Sequence, residues 1–165
     1  MGIRWYEAEP AVFERERAAM AEHAPEMVWV DEGAGGWEGL APEWPFPRNR
    51  PDPGLTRLLG GARLHLRVEY VQAHPAVAPV VVPVSPIPSR ERRLRHDWHV
   101  NGDGTLCLLA ADILWRTDDT AADLVLKASG WIIEYRLKER GLIESMSETG
   151  LYDDAGCDNV IRTAE

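Results

Sequence analysis

Ten of the twelve prolines of this 165-residue chain lie between Pro42 and Pro88, and they decide where regular structure can run. Proline has no main-chain N–H and a fixed φ, so it ends a helix beyond the first turn and is kept out of central strands. Pro42, Pro45, Pro47, Pro51 and Pro53, with Gly54, Gly60 and Gly61, predict a long irregular connection over residues 41–61 through which no strand runs. Pro75 and Pro79 break the chain again, and Pro86 and Pro88 do so a third time.

Between these breaks the periodicity is readable. Leu64, Leu66, Val68 and Tyr70 alternate with His65, Arg67 and Glu69, which predicts a strand with one dry and one wet face. Residues 80–84 predict a second strand, placed at an edge or a strand end by Pro83. Upstream, Glu9-Pro10 marks a helix start and Pro25 a stop near His23, while 27–30 and 37–40 around Gly33 to Gly36 predict a hairpin. Downstream, Thr117 to Thr120 and Gly141 bracket a helix over about 119–140. Its apolar positions form two stripes, one with Leu124, Trp131 and Tyr135 and one with Leu126, Ile133 and Leu137, so it is either well buried or touches a partner. The order predicts an α+β layer arrangement, with residues 142–165 as a loose or accessory acidic segment.

Composition narrows the function classes. A net charge of -9 argues against nucleic-acid binding, which draws its affinity from Lys and Arg on phosphates. With no basic start ahead of an apolar stretch and no apolar run of about twenty residues, neither a signal peptide nor a membrane span is expected, and the expected compartment is the cytoplasm. Cys107 and Cys157 form neither a disulfide framework nor a paired metal knuckle.

Residues 89–116 carry no sustained period but hold His99-Val-Asn-Gly-Asp-Gly-Thr-Leu-Cys-Leu108. A cysteine directly after a turn-forming loop can be presented to another molecule. Arg90, Arg92, Arg93 and Arg95 are nearby cations of the kind that favour a thiolate, and Asn101 or main-chain N–H groups could stabilise an oxyanion. Three other readings stand beside this one. Cys107 could be a buried free cysteine beside an Asn-Gly turn, a metal ligand with His96, Asp97 and His99, or the nucleophile of a hydrolase with His74 or His99 as base. The arginines read either as a solvated face or as a docking patch for an acidic partner.

The run His99-x-Asn101, then Gly104-x-Leu106-Cys107-Leu108, with Trp115 eight positions past the cysteine, resembles the active-site segment of ubiquitin-conjugating enzymes. Leu64 to Val71 followed by His74-Pro-Ala-Val-Ala-Pro79-Val resembles that family's third strand, proline-rich turn and fourth strand, and 119–137 its packing helix. The resemblance implies an N-terminal helix, a four-stranded antiparallel meander, an active-site flap and a packing helix, in a catalytic domain over 1–141. It implies catalysis by Cys107 with His99 and Asn101, and no cofactor or metal at this step. The implied partners are a ubiquitin-like protein, its activating enzyme and a protein target.

The chain departs from the family in three places. Val100 stands where the family has proline, the interval from His99 to Cys107 is shortened, and Leu109 stands where an acid is common, which leaves Asp103 or Asp112 to position an attacking amine. The short Asp-Gly-x-Leu-Cys form resembles the bacterial branch found in antiphage operons, where a deconjugating metalloprotease is often encoded alongside. A non-catalytic relative that keeps the fold and binds such partners is the alternative, and the presence of Cys107 favours the enzyme.

Overall fold

In a computed structural model, which describes residues 2–109, 114–148 and 157–164, the chain opens with a short helix α1 (Trp5–Ala8) and then α2 (Pro10–His23). Pro10 takes the first turn, where a missing N–H costs nothing. The chain then forms β1 (Met27–Val30), β2 (Gly36–Leu40), β3 (His65–Glu69) and β4 (Val80–Ser85), all antiparallel and paired in the order β1-β2-β3-β4. The alternation in β3 sorts the two faces: Leu66 and Val68 are fully buried, while Arg67 and Glu69 face outward. Val68 stands between Trp37 of β2 and Val81 of β4, which continue the dry face. Pro83 sits in the terminal strand as expected, opposite a register shift between His65 and Leu66.

The long helix α5 (Ala121–Glu139) is buried along both of its apolar stripes, with Trp131, Ile133 and Leu137 at 0% exposure. It starts where the Asp123 carboxylate accepts the Thr120 N–H (2.8 Å) and hydroxyl (2.9 Å), and it stops before Gly141 at φ 70°. It packs against α2, β4 and a helix in the proline-rich connection. Among the described residues, no helix is long and apolar enough to cross a membrane.

That last helix, α3 (Gly54–Leu59), corrects the expectation of an irregular 41–61. Six residues are too few to be helical alone, so its stability comes from burying Leu55, Leu58 and Leu59 in the core. The C-terminal segment likewise differs from a loose tail. Its helix α6 (Asp158–Arg162) lies on α3, with Ile161 and Ala164 fully buried. Arg48 grips Asp158 at 3.0 and 3.1 Å, and Arg57 takes the carbonyls of Arg162 and Ala164. Gly54 is needed at this contact, since a Cβ there would lie 2.0 Å from the Ile161 carbonyl oxygen. The segment after β4 adds α4 (Arg90–Arg93), capped by Ser89, and a 3₁₀ turn His96–Trp98.

A charged residue of α2 is buried in the middle of this architecture. Glu16 of α2 is fully buried, and its Oε2 accepts the Tyr70 hydroxyl (2.9 Å) and the Ala121 N–H at the start of α5 (2.8 Å). Tyr70 in turn accepts the Trp37 indole N–H at 3.0 Å. Oε1 lies 3.1 Å from His74 Nε2, off the line of a hydrogen bond. Burial beside this carboxylate pushes the Tyr70 phenol well above its ordinary range.

Two substitutions test these anchors by urea unfolding. Glu16→Ala strands the Tyr70 hydroxyl, the Ala121 N–H and His74, and is expected to cost about 3–5 kcal/mol, whereas Glu14→Ala on the exposed side of α2 costs less than about 1. Equal losses would remove Glu16 from that role. Gly54→Ala is expected to release α6, seen as fast amide exchange over 158–162 with β3 still protected.

Candidate active site

Cys107 is exposed because its neighbours are not. Val100, Leu106 and Leu108 are buried at 2%, 6% and 4% exposure, and in an extended chain the residue between two inward side chains points outward. Val100 and Leu106 form a bridge that closes the loop between them. Within it, the Asn101 N–H donates to the Thr105 carbonyl (2.8 Å) and the Gly104 N–H to the Asn101 carbonyl (2.9 Å), with Gly104 at φ 91°. The loop is fastened to the body twice: the Leu106 N–H donates to the Val81 carbonyl of β4 and the Cys107 N–H to the His99 carbonyl, both at 2.9 Å.

The thiol opens on a groove of about 210 Å³ between β4, the loop and the start of α5, with walls formed chiefly by Pro79, Val80, Leu108, Leu109 and Leu124. Sγ lies 3.9 Å from the Leu109 carbonyl oxygen, a weak S–H contact. A groove of this character suits a largely apolar group rather than a charged ligand. The Arg93 guanidinium stands against the turn: its Nη1 would be 3.3 Å from a Cβ at Gly104.

Asn101 lines the same groove, but its amide nitrogen donates to Thr105 Oγ1 at 2.9 Å. Thr105 Oγ1 in turn donates to Asp103 Oδ1 at 2.7 Å, and the Thr105 N–H reaches the same oxygen at 2.9 Å. Asn101 and Asp103 are therefore the internal braces of the turn. The main-chain and hydroxyl donors of Thr105 hold the Asp103 carboxyl below its usual range. Asp112, the other acid considered, lies outside the described residues.

His99 contributes to the site through its main chain. Its carbonyl accepts the Cys107 N–H, while its half-buried ring is outside the groove lining and lies near the main chain of Ser147. His99 adopts φ 52° and ψ 39°, a left-handed conformation that a side-chain-bearing residue holds only when its surroundings enforce it. The turn before it is clipped to α5. Lys138 Nζ reaches the Asp97 carbonyl and carboxylate (2.9 and 2.8 Å), and the Trp131 indole donates to the Trp98 carbonyl at 2.9 Å.

The remaining sequence candidates resolve as follows. His74, considered as a base, is walled in by Trp5 and Tyr70, with its side chain fully buried against Glu16. Trp115 donates to the Pro75 carbonyl at 2.8 Å, which pins the proline-rich turn to the chain leaving the cysteine loop. Of the arginines, Arg92 bonds Glu139 (2.7 Å) and Tyr135 and lies over the Trp98 ring, Arg93 donates to the Pro88 carbonyl and Arg95 pairs with Asp97. Most of the cluster therefore fastens residues 88–98 rather than forming an open patch. Among the described residues, no three His, Cys, Asp or Glu side chains converge to hold a metal, so the grouping of His96, Asp97, His99 and Cys107 as ligands does not form.

No protein-family model, curated protein or solved structure matches this chain.

Burial places the His99 imidazole below its ordinary pKa of 6.5, with the nearby Lys138 charge acting the same way and the Ser147 bond and Asp97 opposing. The unfolded chain then binds more protons near pH 6, so this contribution to stability is complete above pH 6.5 and falls away as the pH drops through the folded midpoint. NMR titration of the ring is expected to give a midpoint below 6.5, and His99→Asn to flatten stability between about pH 7 and 5 relative to the parent. A midpoint at or above 6.5 would contradict this environment.

Proposed function

We propose that this protein is a ubiquitin-conjugating-like enzyme that carries a ubiquitin-like protein as a thioester on Cys107. The observation that carries the reading is the exposed Cys107 thiol at the end of a braced turn, beside an apolar groove and the last strand of a four-stranded meander backed by α5. The resemblance of residues 99–115 to the family's active-site segment agrees with it.

In the first step the Cys107 thiolate attacks the thioester carbonyl carbon on the activating enzyme, a C–S bond forms, and the activating enzyme's cysteine leaves as thiolate. In the second, an amine of the protein target attacks the Cys107 thioester, loses a proton to solvent or a base, and expels Cys107 as thiolate. No cofactor enters either step, because the thioester already stores the activation. The chain's own contribution is positioning: the C-terminal segment of the carried protein lies along the groove walls formed by Val80, Leu108 and Leu124. Asn101 supports the turn through Thr105, so oxyanion stabilisation falls to main-chain N–H groups near Cys107. By the same resemblance, the setting is bacterial antiphage defence in the cytoplasm, with a deconjugating metalloprotease as the opposing activity.

The test is intact mass after incubation with the activating enzyme and ubiquitin-like protein encoded beside it, plus ATP. The expected product is a reductant-sensitive adduct on the parent protein and none on Cys107→Ala. Asn101→Ala is expected to load and to slow discharge to an amine by less than about tenfold, as fits a turn brace rather than an oxyanion donor. A charged activating enzyme that transfers nothing to the parent protein overturns the reading and favours a binding module of the same fold.

A further inference from the structure

Glu134 is a carboxylate at 1% exposure on the buried face of α5, between Ile133 and Tyr135, and the acyl-transfer reading leaves it without a task. Burying a carboxylate is costly, and burial holds this one above its usual range. Its two oxygens are spent on a single residue downstream: Oε1 accepts the Ser147 N–H and Oε2 the Ser147 hydroxyl, both at 3.1 Å. Met146 beside it is buried, so this piece of chain is set against the body at two successive residues. Ser147 also offers its main chain to the His99 ring. His99 needs such a hold, because its left-handed backbone is otherwise unfavourable and its carbonyl carries the Cys107 N–H.

We infer that Glu134 and Ser147 are positioning residues for Cys107, acting through His99: a relay of polar contacts from the buried face of α5 fixes the peptide that presents the thiol. The inference rests on Cys107 being the acyl-carrying residue and assigns the chain after α5 to the active-site scaffold. Residues 142–148 are then a strap across the base of the cysteine loop. Cys157, just before α6, lies near Glu134, and Arg48 holds Asp158. Lys138 and Asp97 flank His99 from α5 and from the 3₁₀ turn.

The readout is native-state amide exchange at Cys107, whose N–H is the last bond of the relay. In Glu134→Ala and in His99→Ala it is expected to quicken about tenfold, and no further in the double variant, because each change cuts the same chain of contacts. Glu134→Gln keeps one acceptor oxygen and is expected to restore most of the protection. Met20→Ala, a core change in α2, controls for lost global stability and is expected to leave Cys107 protected. Exchange at Cys107 that matches the Met20→Ala protein, or effects of the two variants that simply add, overturns the relay.

Where the parent protein loads, Glu134→Ala is expected to load to the same extent and discharge about tenfold more slowly. Unchanged discharge overturns the positioning role. Failure of the parent protein to load at all counts against the acyl-carrier reading, and the exchange measurement then decides the relay by itself.

Discussion

The fully buried Glu16 carboxylate is the interaction on which the rest of the structure depends. It meets the first N–H of α5, the phenol that ends β3, and the histidine at the head of the proline-rich turn, so one side chain fixes four parts of the fold against each other. The start of α5 suits it, because unpaired N–H groups and the helix dipole both favour an anion there. Tyr70 and Trp37 pass the connection on to β2. Removing charge from water is costly, and the cost is offset here by two hydrogen-bond donors on one oxygen and the His74 ring beside the other, in a dry core ringed by Trp5, Tyr70 and His74.

A similar economy governs the cysteine loop. The thiol is exposed because Leu106 and Leu108 are drawn into the core on either side of it, and one-in, one-out alternation then permits no other direction for Cys107. Val100 packs at 2% exposure and bridges to Leu106, so it serves the core. The shortened interval leaves a turn compact enough for Asn101, Asp103 and Thr105 to bond one another, and side chains that might have faced a substrate are taken up in holding the loop. What the loop leaves open to another molecule is the Cys107 thiol.

The C-terminal residues change from accessory to structural once α6 is seen on α3. Three contacts make that docking specific: the Arg48–Asp158 pair, the Arg57 bonds to the last carbonyls, and the absence of a side chain at Gly54. Periodicity could not reveal it. Both helices are of the length that forms only against a partner, and each is the other's partner.

What could be read in the chain itself was local and repetitive. The alternation from Leu64 to Tyr70, the proline limits of each strand, the helix from Pro10, the capped helix ending before Gly141 and the exposed turn ahead of Cys107 all follow from rules that act over a few residues. Those rules specify an α+β chain and single out Cys107, while the four-stranded antiparallel meander is implied only by the family resemblance. Contacts between residues far apart in sequence were decided only in three dimensions. Glu16 reads as one more charge on a helix until Ala121 is brought to it, Glu134 as a flaw in an apolar stripe until Ser147 returns to it, and His99 as a side chain alone until its carbonyl is found holding Cys107. The physical reason is the same in each case: a buried polar group is tolerable only when its partners are assembled, and no local pattern names partners that the fold itself must supply.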